Sequence, residues 1–222
     1  MWNGKKKAVT LSYDDGVESD RRLVELLNKY GLKCTFNLNS GLMTPDSCWE
    51  SNGVMIRRMS PEGLPELYKG HEIAVHCVTH ADLTQLEDEA VRQEIGHDKA
   101  ALEELFGCQI QGMAYPYGAY DQRVIRIAGE CGIRFSRTCN DTHSFALPNV
   151  PLAFGATCRH KDPMLWELLD RFLASDEPGV FCFWGHSYEF DVDGNWELME
   201  EFCRRISGRE DIFYGTNSQV FL

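Results

Sequence analysis

The sequence predicts an α/β fold in which about seven parallel strands form a distorted or incomplete (β/α) barrel. Short β-rich runs alternate with segments whose apolar residues repeat at helical spacing, the order expected of strands joined by crossover helices. The late run Val180–Trp184 is almost wholly apolar, which is typical of a strand covered on both faces. The length suits one large domain, so residues 1–222 are expected to form a single unit, with a doubly wound open sheet as the second choice.

The strands are predicted from β-branched and aromatic runs bounded by turn residues. In the first of them, Val9, Leu11 and Tyr13 share one face. From the amino terminus, the predicted strands are Ala8–Tyr13, Cys34–Leu38, Glu72–His76, Gly112–Tyr115, Ile133–Ser136, Val180–Trp184 and Ile212–Tyr214.

The helices are predicted from apolar residues three or four positions apart and from their end signals. Leu23 and Leu27 belong to the first pattern, which Gly31 ends. The later predicted helices are Ser60–Tyr68, Leu86–Phe106, Asp121–Glu130, Pro163–Leu173 and Trp196–Ile206. Two longer stretches, Gly41–Met59 and Thr138–His160, are expected to be irregular, and loops of that length often cover functional sites.

Charge and cysteine content restrict the partners and the compartment. The formal net charge of -12 argues against nucleic acid, which requires clustered Lys and Arg. No apolar run approaches the length of a membrane span, so no membrane partner is expected. The nine cysteines are odd in number, and several lie inside apolar runs, which indicates reduced thiols. With no signal peptide visible after Met1, a cytoplasmic location is expected.

Polar residues follow four of the predicted strands at the point where each strand ends. Asp14 and Asp15 follow the first, His76 and His80 the third, Tyr115–Gly118 the fourth, and His186 the late apolar strand. The carboxyl ends of parallel strands meet at one face, where active sites gather. These residues are therefore expected to share a site.

His76 and His80 are the strongest candidates for metal ligands. Their imidazoles, four positions apart, converge if the segment takes one helical turn. By themselves they are as easily two ordinary histidines, and Asp14–Asp15 alone reads more readily as a turn. Two imidazoles and the carboxylate of Asp15 together make a three-ligand site with a position open for water, as in catalytic zinc centres. His186, after a glycine on the same face, suits a general acid near neutral pH.

Four segments resemble the motifs of the polysaccharide deacetylase family, carbohydrate esterase family four, whose members have a distorted (β/α) barrel. The segments are Leu11–Gly16, His76–His80 with its continuation to Leu86, Tyr115–Gly118, and Trp184–His186. Taken together they cover most of the chain, from Val9 to about Phe190.

The resemblance implies a role for each matched residue. Asp14 would be the general base, Asp15, His76 and His80 the metal ligands, and His186 the general acid. Pro116 and Tyr117 would wall the site, and the backbone N–H of Tyr117 would hold the oxyanion. The implied reaction removes an acyl group, by expectation acetyl, from an amide on a carbohydrate, with one divalent ion. Zinc is the expected ion, and cobalt and nickel are the alternatives.

The sequence departs from the family pattern in its third and fourth motifs. Ala114 stands where an arginine usually orients the base, so Arg137 or Arg159 is expected to replace it. The fourth motif should lie within residues 138–160 but is not recognisable there. Three alternatives therefore stay open: a hydrolase of a linear or cyclic amide that is not a sugar, a non-catalytic, metal-containing sugar-binding protein, and a plain α/β scaffold without a metal.

Four further side chains are candidates for contact with the substrate. Trp49 and Trp184 are able to stack on a sugar ring, although tryptophans are more often core residues. His143 and His160 lie in the second long irregular segment, which places them within reach of a site at the strand ends.

Overall fold

Nine of the eleven strands in the computed structural model, which describes residues 2–222, form one sheet, and every strand pairing in that sheet is parallel. The strands are β1 (Lys7–Asp14), β2 (Cys34–Leu38), β3 (Cys48–Ser51), β4 (Val54–Arg57), β5 (Glu72–Val75), β6 (Gly112–Ala114), β7 (Phe135–Asp141), β8 (Phe154–Ala156), β9 (Cys158–Arg159), β10 (Gly179–Gly185) and β11 (Ile212–Tyr214). The order in the sheet is β8-β7-β6-β5-β2-β1-β10-β9, with β11 paired to β1.

The two edges of this sheet meet, which makes it a nearly closed barrel. The edge strands β8 and β9 are separated in sequence only by Thr157. Its backbone N–H donates to the carbonyl of Cys182 on β10, 2.9 Å away. The predicted α/β barrel is confirmed, but it has nine strands rather than about seven. The additional strands, β8 and β9, contain two or three residues each and are too short to show an alternating pattern.

Strand β1 lies at the centre of the barrel and is buried along its whole length. It pairs with β10 from Lys7 to Tyr13. On its other side, its first half pairs with β11 and its second half with β2. This central position explains why the residues just after β1 reach the middle of the strand-end face.

Eight helices pack around the sheet within residues 2–222. They are α1 (Asp20–Lys29), α2 (Leu64–Leu67), α3 (Asp88–Phe106), α4 (Gln122–Glu130), α5 (Leu165–Ala174), α6 (Tyr188–Asp193), α7 (Trp196–Ile206) and α8 (Asn217–Phe221). The helix predicted for Ser60–Tyr68 is shortened to α2, because Gly63 adopts a left-handed φ of 80° that no helix can contain. No helix in the described part of the chain combines the length and apolar character of a membrane span.

The segment Gly41–Met59 is not irregular, as predicted, but contains the antiparallel hairpin β3–β4. Asn52 and Gly53 form its two-residue turn, and both have positive φ, 46° and 79°. Asn-Gly is a strong hairpin signal, which the sequence interpretation missed. The second segment, Thr138–His160, likewise contains the end of β7 together with β8 and β9.

Candidate active site

Asp14 and Asp15 enter the same cleft because the chain turns sharply where β1 ends. Asp14 is the last residue of β1, and Asp15 adopts a left-handed φ of 85°. Successive strand residues point to opposite faces, and this turn brings the second carboxylate back beside the first. Both residues are buried and line one cleft of about 570 Å³ at the strand ends.

His76 and His80 converge, but not through the helical turn that the sequence suggested. Their ring centroids are 4.7 Å apart at an interplanar angle of 78°. Cys77 and His80 both have positive φ, 67° and 58°, so the backbone between the rings turns through left-handed residues instead. Such conformations cost about 1–3 kcal/mol each and are concentrated at functional sites.

The side chains of Asp15, His76 and His80 fit a divalent metal ion. Their ligand atoms all lie within 4.8 Å of one another. His76 Nδ1 is 2.8 Å from the carbonyl of Ala114, which assigns the proton to Nδ1 and leaves Nε2 for a metal. Burial lowers the pKa of His76, and burial together with the neighbouring His76 lowers that of His80 to about 4. Both imidazoles are therefore neutral, the form that binds metals.

Arg137 supplies the guanidinium that the family pattern has at the position of Ala114. It lies on β7 directly opposite Ala114 on β6, and its guanidinium forms a close ion pair with the carboxylate of Asp14. Its Nε also donates to Ser12 Oγ, 3.1 Å away. Burial raises the pKa of Asp14, but Arg137 and the nearby imidazoles outweigh this effect and lower the pKa to about 2. Asp14 is therefore ionised at neutral pH.

His186 completes the group of ionisable residues. Its Nε2 is 3.8 Å from Asp14 Oδ2 and 3.9 Å from Asp15 Oδ2. Its Nδ1 is 3.3 Å from the carboxylate of Glu189, and although burial opposes the charged form, Glu189 and the two aspartates raise the pKa of His186. Gly185 is required before it, because a Cβ there would lie 2.0 Å from His160 Nδ1.

The sequence interpretation did not identify Glu189. This carboxylate also forms a close ion pair with Arg159, the second arginine considered as a partner for Asp14. Burial raises the pKa of Glu189, but the neighbouring side chains of His160, His186 and Arg159 outweigh it and hold the pKa far below the usual value. Its place three residues after His186, at the start of α6, was the available signal.

The remaining predicted site residues, Pro116, Tyr117 and Trp184, differ in their exposure and in the residues that they contact. Pro116 is buried in the turn after β6, and Tyr117, with a φ of 58°, is 70% exposed with its ring 4.6 Å from that of His80. Trp184 is only 3% exposed. The guanidinium carbons of Arg137 and Arg159 lie 4.3 and 5.3 Å from the centre of its ring. Trp184 also lines the cleft, so its ring supports these two arginines, and its predicted contact with a sugar stays a prediction.

The two loop histidines do not reach the cleft as substrate contacts. His160 is 2% exposed and lies behind His186, with its Nε2 3.1 Å from Glu189. His143 pairs with Asp162 at 2.6 Å and does not line the cleft. The aromatic rim is instead formed by Trp49 on β3 and Tyr188 on α6, whose rings meet edge to face at 5.4 Å.

The chain belongs to the polysaccharide deacetylase family. The family model, described as polysaccharide deacetylase, matches residues 2–136, which is more than half of the chain. The match includes Asp14, Asp15, His76 and His80, whereas His186 lies beyond it.

Individual proteins of known sequence or structure agree with this assignment. The chain is 30% identical over 125 residues to chitin deacetylase 1 of Cryptococcus neoformans var. grubii, covering 55% of this chain and 24% of that protein. The fold matches that of a putative polysaccharide deacetylase from Mycobacterium smegmatis with a TM-score of 0.71, at 19% identity and with 98% and 89% of the two chains covered.

Not every protein of this fold is described as active. A carbohydrate esterase family four pseudoenzyme from Bacillus anthracis has a TM-score of 0.60 to this chain at 16% identity, covering 99% of this chain and 66% of that one. In addition, the chain spans less than half of the length of six curated relatives that it matches. Fold membership alone therefore does not establish activity.

Proposed function

We propose that this protein is a metal-dependent hydrolase that removes an acetyl group from an N-acetylated carbohydrate. The observation that carries the proposal is the convergence of two carboxylates and three imidazoles in one cleft of a polysaccharide deacetylase fold. These are Asp14, Asp15, His76, His80 and His186. This set contains the ligands, the base and the acid that amide hydrolysis requires.

Asp14 is the proposed general base. A divalent ion held by Asp15, His76 and His80, with zinc expected, supplies the Lewis acidity that activates water and stabilises negative charge. Asp14 Oδ2 is held by Arg137, and Oδ1 accepts a hydrogen bond from Asn37 Nδ2 at 2.8 Å. The carboxylate is thus fixed and ionised, ready to accept the proton released as water oxygen bonds to the acyl carbon.

His186 is the proposed general acid. As the bond between acyl carbon and nitrogen breaks, the nitrogen leaves as an amine only if it gains a proton. Glu189 at Nδ1 orients the ring and favours the charged imidazole, so that Nε2 carries the proton on the side of the two aspartates. The products are a free amine and acetate. The backbone N–H of Tyr117 is proposed to donate to the oxyanion.

A non-catalytic, sugar-binding role is less well supported. Ala114 suggested it, because a base without an orienting arginine would be poorly placed. Arg137 provides that cation from the neighbouring strand.

We also propose a reducing compartment, such as the cytoplasm, because all nine cysteines are free thiols.

Two product assays and a binding measurement separate the remaining alternatives, namely acetate release from the sugars, ring opening of the ureides and binding of the sugar. Purified protein with zinc would be incubated with N-acetyl chito-oligosaccharides and, separately, with small cyclic ureides. We expect acetate and free amine from the sugars, loss of activity after treatment with a chelator, and recovery when zinc is added. Turnover of the ureides but not of the sugars would show that the substrate is a small amide rather than a sugar. Binding of sugar without turnover of either substrate would favour the non-catalytic alternative.

A further inference from the structure

Arg58 is a buried cation beside the metal site that the reaction scheme does not use. It directly follows β4 and is only 8% exposed. Its Nη1 donates to the backbone carbonyl of Asp15 at 2.6 Å, and its Nη2 donates to Asp15 Oδ1 at 3.1 Å. The guanidinium therefore forms hydrogen bonds with both the backbone and the side chain of one candidate metal ligand.

Asn39 connects the same guanidinium to the second pair of ligands. Arg58 Nη1 donates to Asn39 Oδ1 at 2.6 Å. Asn39, itself 2% exposed, donates from Nδ2 to the carbonyls of His76 and of Cys77, the latter at 2.8 Å. One continuous set of hydrogen bonds thus runs from Asp15 to the backbone of His76.

The backbone at both ends of this connection is strained. Asp15 and Cys77 are non-glycine residues with φ of 85° and 67°. Left-handed conformations of this kind persist only when surrounding contacts hold them. Arg58 and Asn39 bond directly to the carbonyl groups of these two residues, which makes them suitable restraints.

Arg58 also contacts the oxygen of Asp15 that lies beside His80. Oδ1 accepts the hydrogen bond from Arg58 and lies 3.7 Å from His80 Nε2, while Oδ2 lies 3.9 Å from His186 Nε2. The guanidinium therefore fixes the orientation of this carboxylate relative to a second candidate ligand.

We propose that Arg58, acting through Asn39, is a positioning residue that holds the metal ligands in their binding arrangement before an ion enters. This inference rests on the proposed function, because it assumes that Asp15, His76 and His80 bind a metal. It does not require that the protein hydrolyse any particular substrate.

Zinc affinity provides the test, measured by competition with a chromophoric chelator. The variants are Arg58→Met, Arg58→Lys and Asn39→Ala, with Arg57→Met as the control, because Arg57 is exposed on the same hairpin. Lysine keeps the positive charge but cannot reproduce the three hydrogen bonds of the fork. Thermal unfolding checks that each variant is folded. If an Arg58 variant does not fold, the zinc affinity of Asn39→Ala tests the inference instead.

We expect both Arg58 variants and Asn39→Ala to weaken zinc binding about 10- to 100-fold, the usual effect of losing a group that orients a ligand. The double variant Arg58→Met/Asn39→Ala should lose no more than the worse single variant, because the two side chains act in one connection. The control should bind as the wild type does.

Two results would overturn the inference. Unchanged affinity in folded Arg58 variants would show that the ligands need no such restraint. Tighter binding in Arg58→Met with unchanged binding in Arg58→Lys would show that only the charge matters. Absence of zinc binding by the wild-type protein would instead refute the proposed function, and the inference with it.

Discussion

Arg137 and Asp14 form an ion pair in which both side chains are almost wholly buried, 1% and 3% exposed. Removing one member of such a pair leaves an uncompensated charge in the interior and costs about 3–5 kcal/mol. The pair is therefore important for stability as well as for orientation of the base, and substitutions there must be tested for folding before they are interpreted kinetically.

The substitution Asp14→Asn is expected to retain zinc binding and to lower kcat at least about 100-fold, since a general base typically contributes 10²–10⁴-fold. Asparagine is nearly the same size but cannot accept the proton from water. Kinetics of acetate release and a zinc titration measure the two effects, with Asp46→Asn, at an exposed position, as the control. Near-wild-type turnover of the variant would exclude Asp14 as the base.

Exchange of the arginine between adjacent strands provides a second prediction. Arg137→Ala should abolish activity, and Ala114→Arg in the same protein should restore part of it. The two positions are register partners on β6 and β7, so the new guanidinium enters from a neighbouring position on the same face. Recovery of kcat and of the midpoint of thermal unfolding would be measured together. A double variant that folds but remains as inactive as Arg137→Ala would contradict this explanation of Ala114.

At the scale of elements, the hairpin β3–β4 forms a wall of the cleft. It lies outside the main sheet and contributes Trp49 to the rim. The guanidinium of Arg58, directly after the hairpin, lies 5.3 Å from the ring of Trp49. Backbone hydrogen bonds join the hairpin to the turn after β1, from the N–H of Glu18 to the carbonyl of Arg57 at 3.0 Å and from the N–H of Met59 to the carbonyl of Gly16 at 2.9 Å.

Trp49→Ala is expected to raise KM for an N-acetylated oligosaccharide about tenfold and to change kcat little, because the partly exposed ring lines the cleft and none of the proposed catalytic roles falls on it. Trp166→Ala is the matched control, since Trp166 is also partly exposed but lies outside this cleft. Steady-state kinetics with both variants make the comparison. An equal fall in kcat and kcat/KM for Trp49→Ala would instead indicate a transition-state role.

At the scale of the whole molecule, the buried Asp20 connects three distant segments. Ser187, next to His186, donates to its Oδ1 at 2.5 Å, and Tyr68 donates to its Oδ2 at 2.7 Å. Burial raises the pKa of Asp20 to about 7 despite these hydrogen bonds. The folded protein therefore binds a proton here that the unfolded chain releases at lower pH, and this contribution to stability is lost as the pH rises through about 7.

Asp20→Asn should remove that pH dependence. As the pH rises from 4 to 7, the free energy of unfolding of the wild type should fall relative to that of the variant by at most about 1.4 kcal/mol per pH unit. Denaturant unfolding of both proteins at several pH values measures the difference. A difference that does not change with pH would show that Asp20 is ionised throughout this range.

The sequence alone determined the parts of this protein that depend on neighbouring residues. The alternation of strands and helices predicted the barrel, and the turns after β1, β5 and β10 placed Asp14, His76 and His186 at one face. Helix Trp196–Ile206 and strand Cys34–Leu38 were predicted to the residue. In each case, the signal is a pattern of apolar residues or of turn residues within one short segment of the chain.

Only the tertiary structure decided the partners of these residues. Arg137 is 123 positions from Asp14, and Arg58 is 43 positions from Asp15. The first pair forms because the barrel brings β7 within reach of the end of β1, and the second because the hairpin β3–β4 packs against the turn after β1. The convergence of His76 and His80 through left-handed residues also depends on contacts from outside the segment, including Asn39. Local sequence patterns do not contain these distances, because the packing of distant segments creates them.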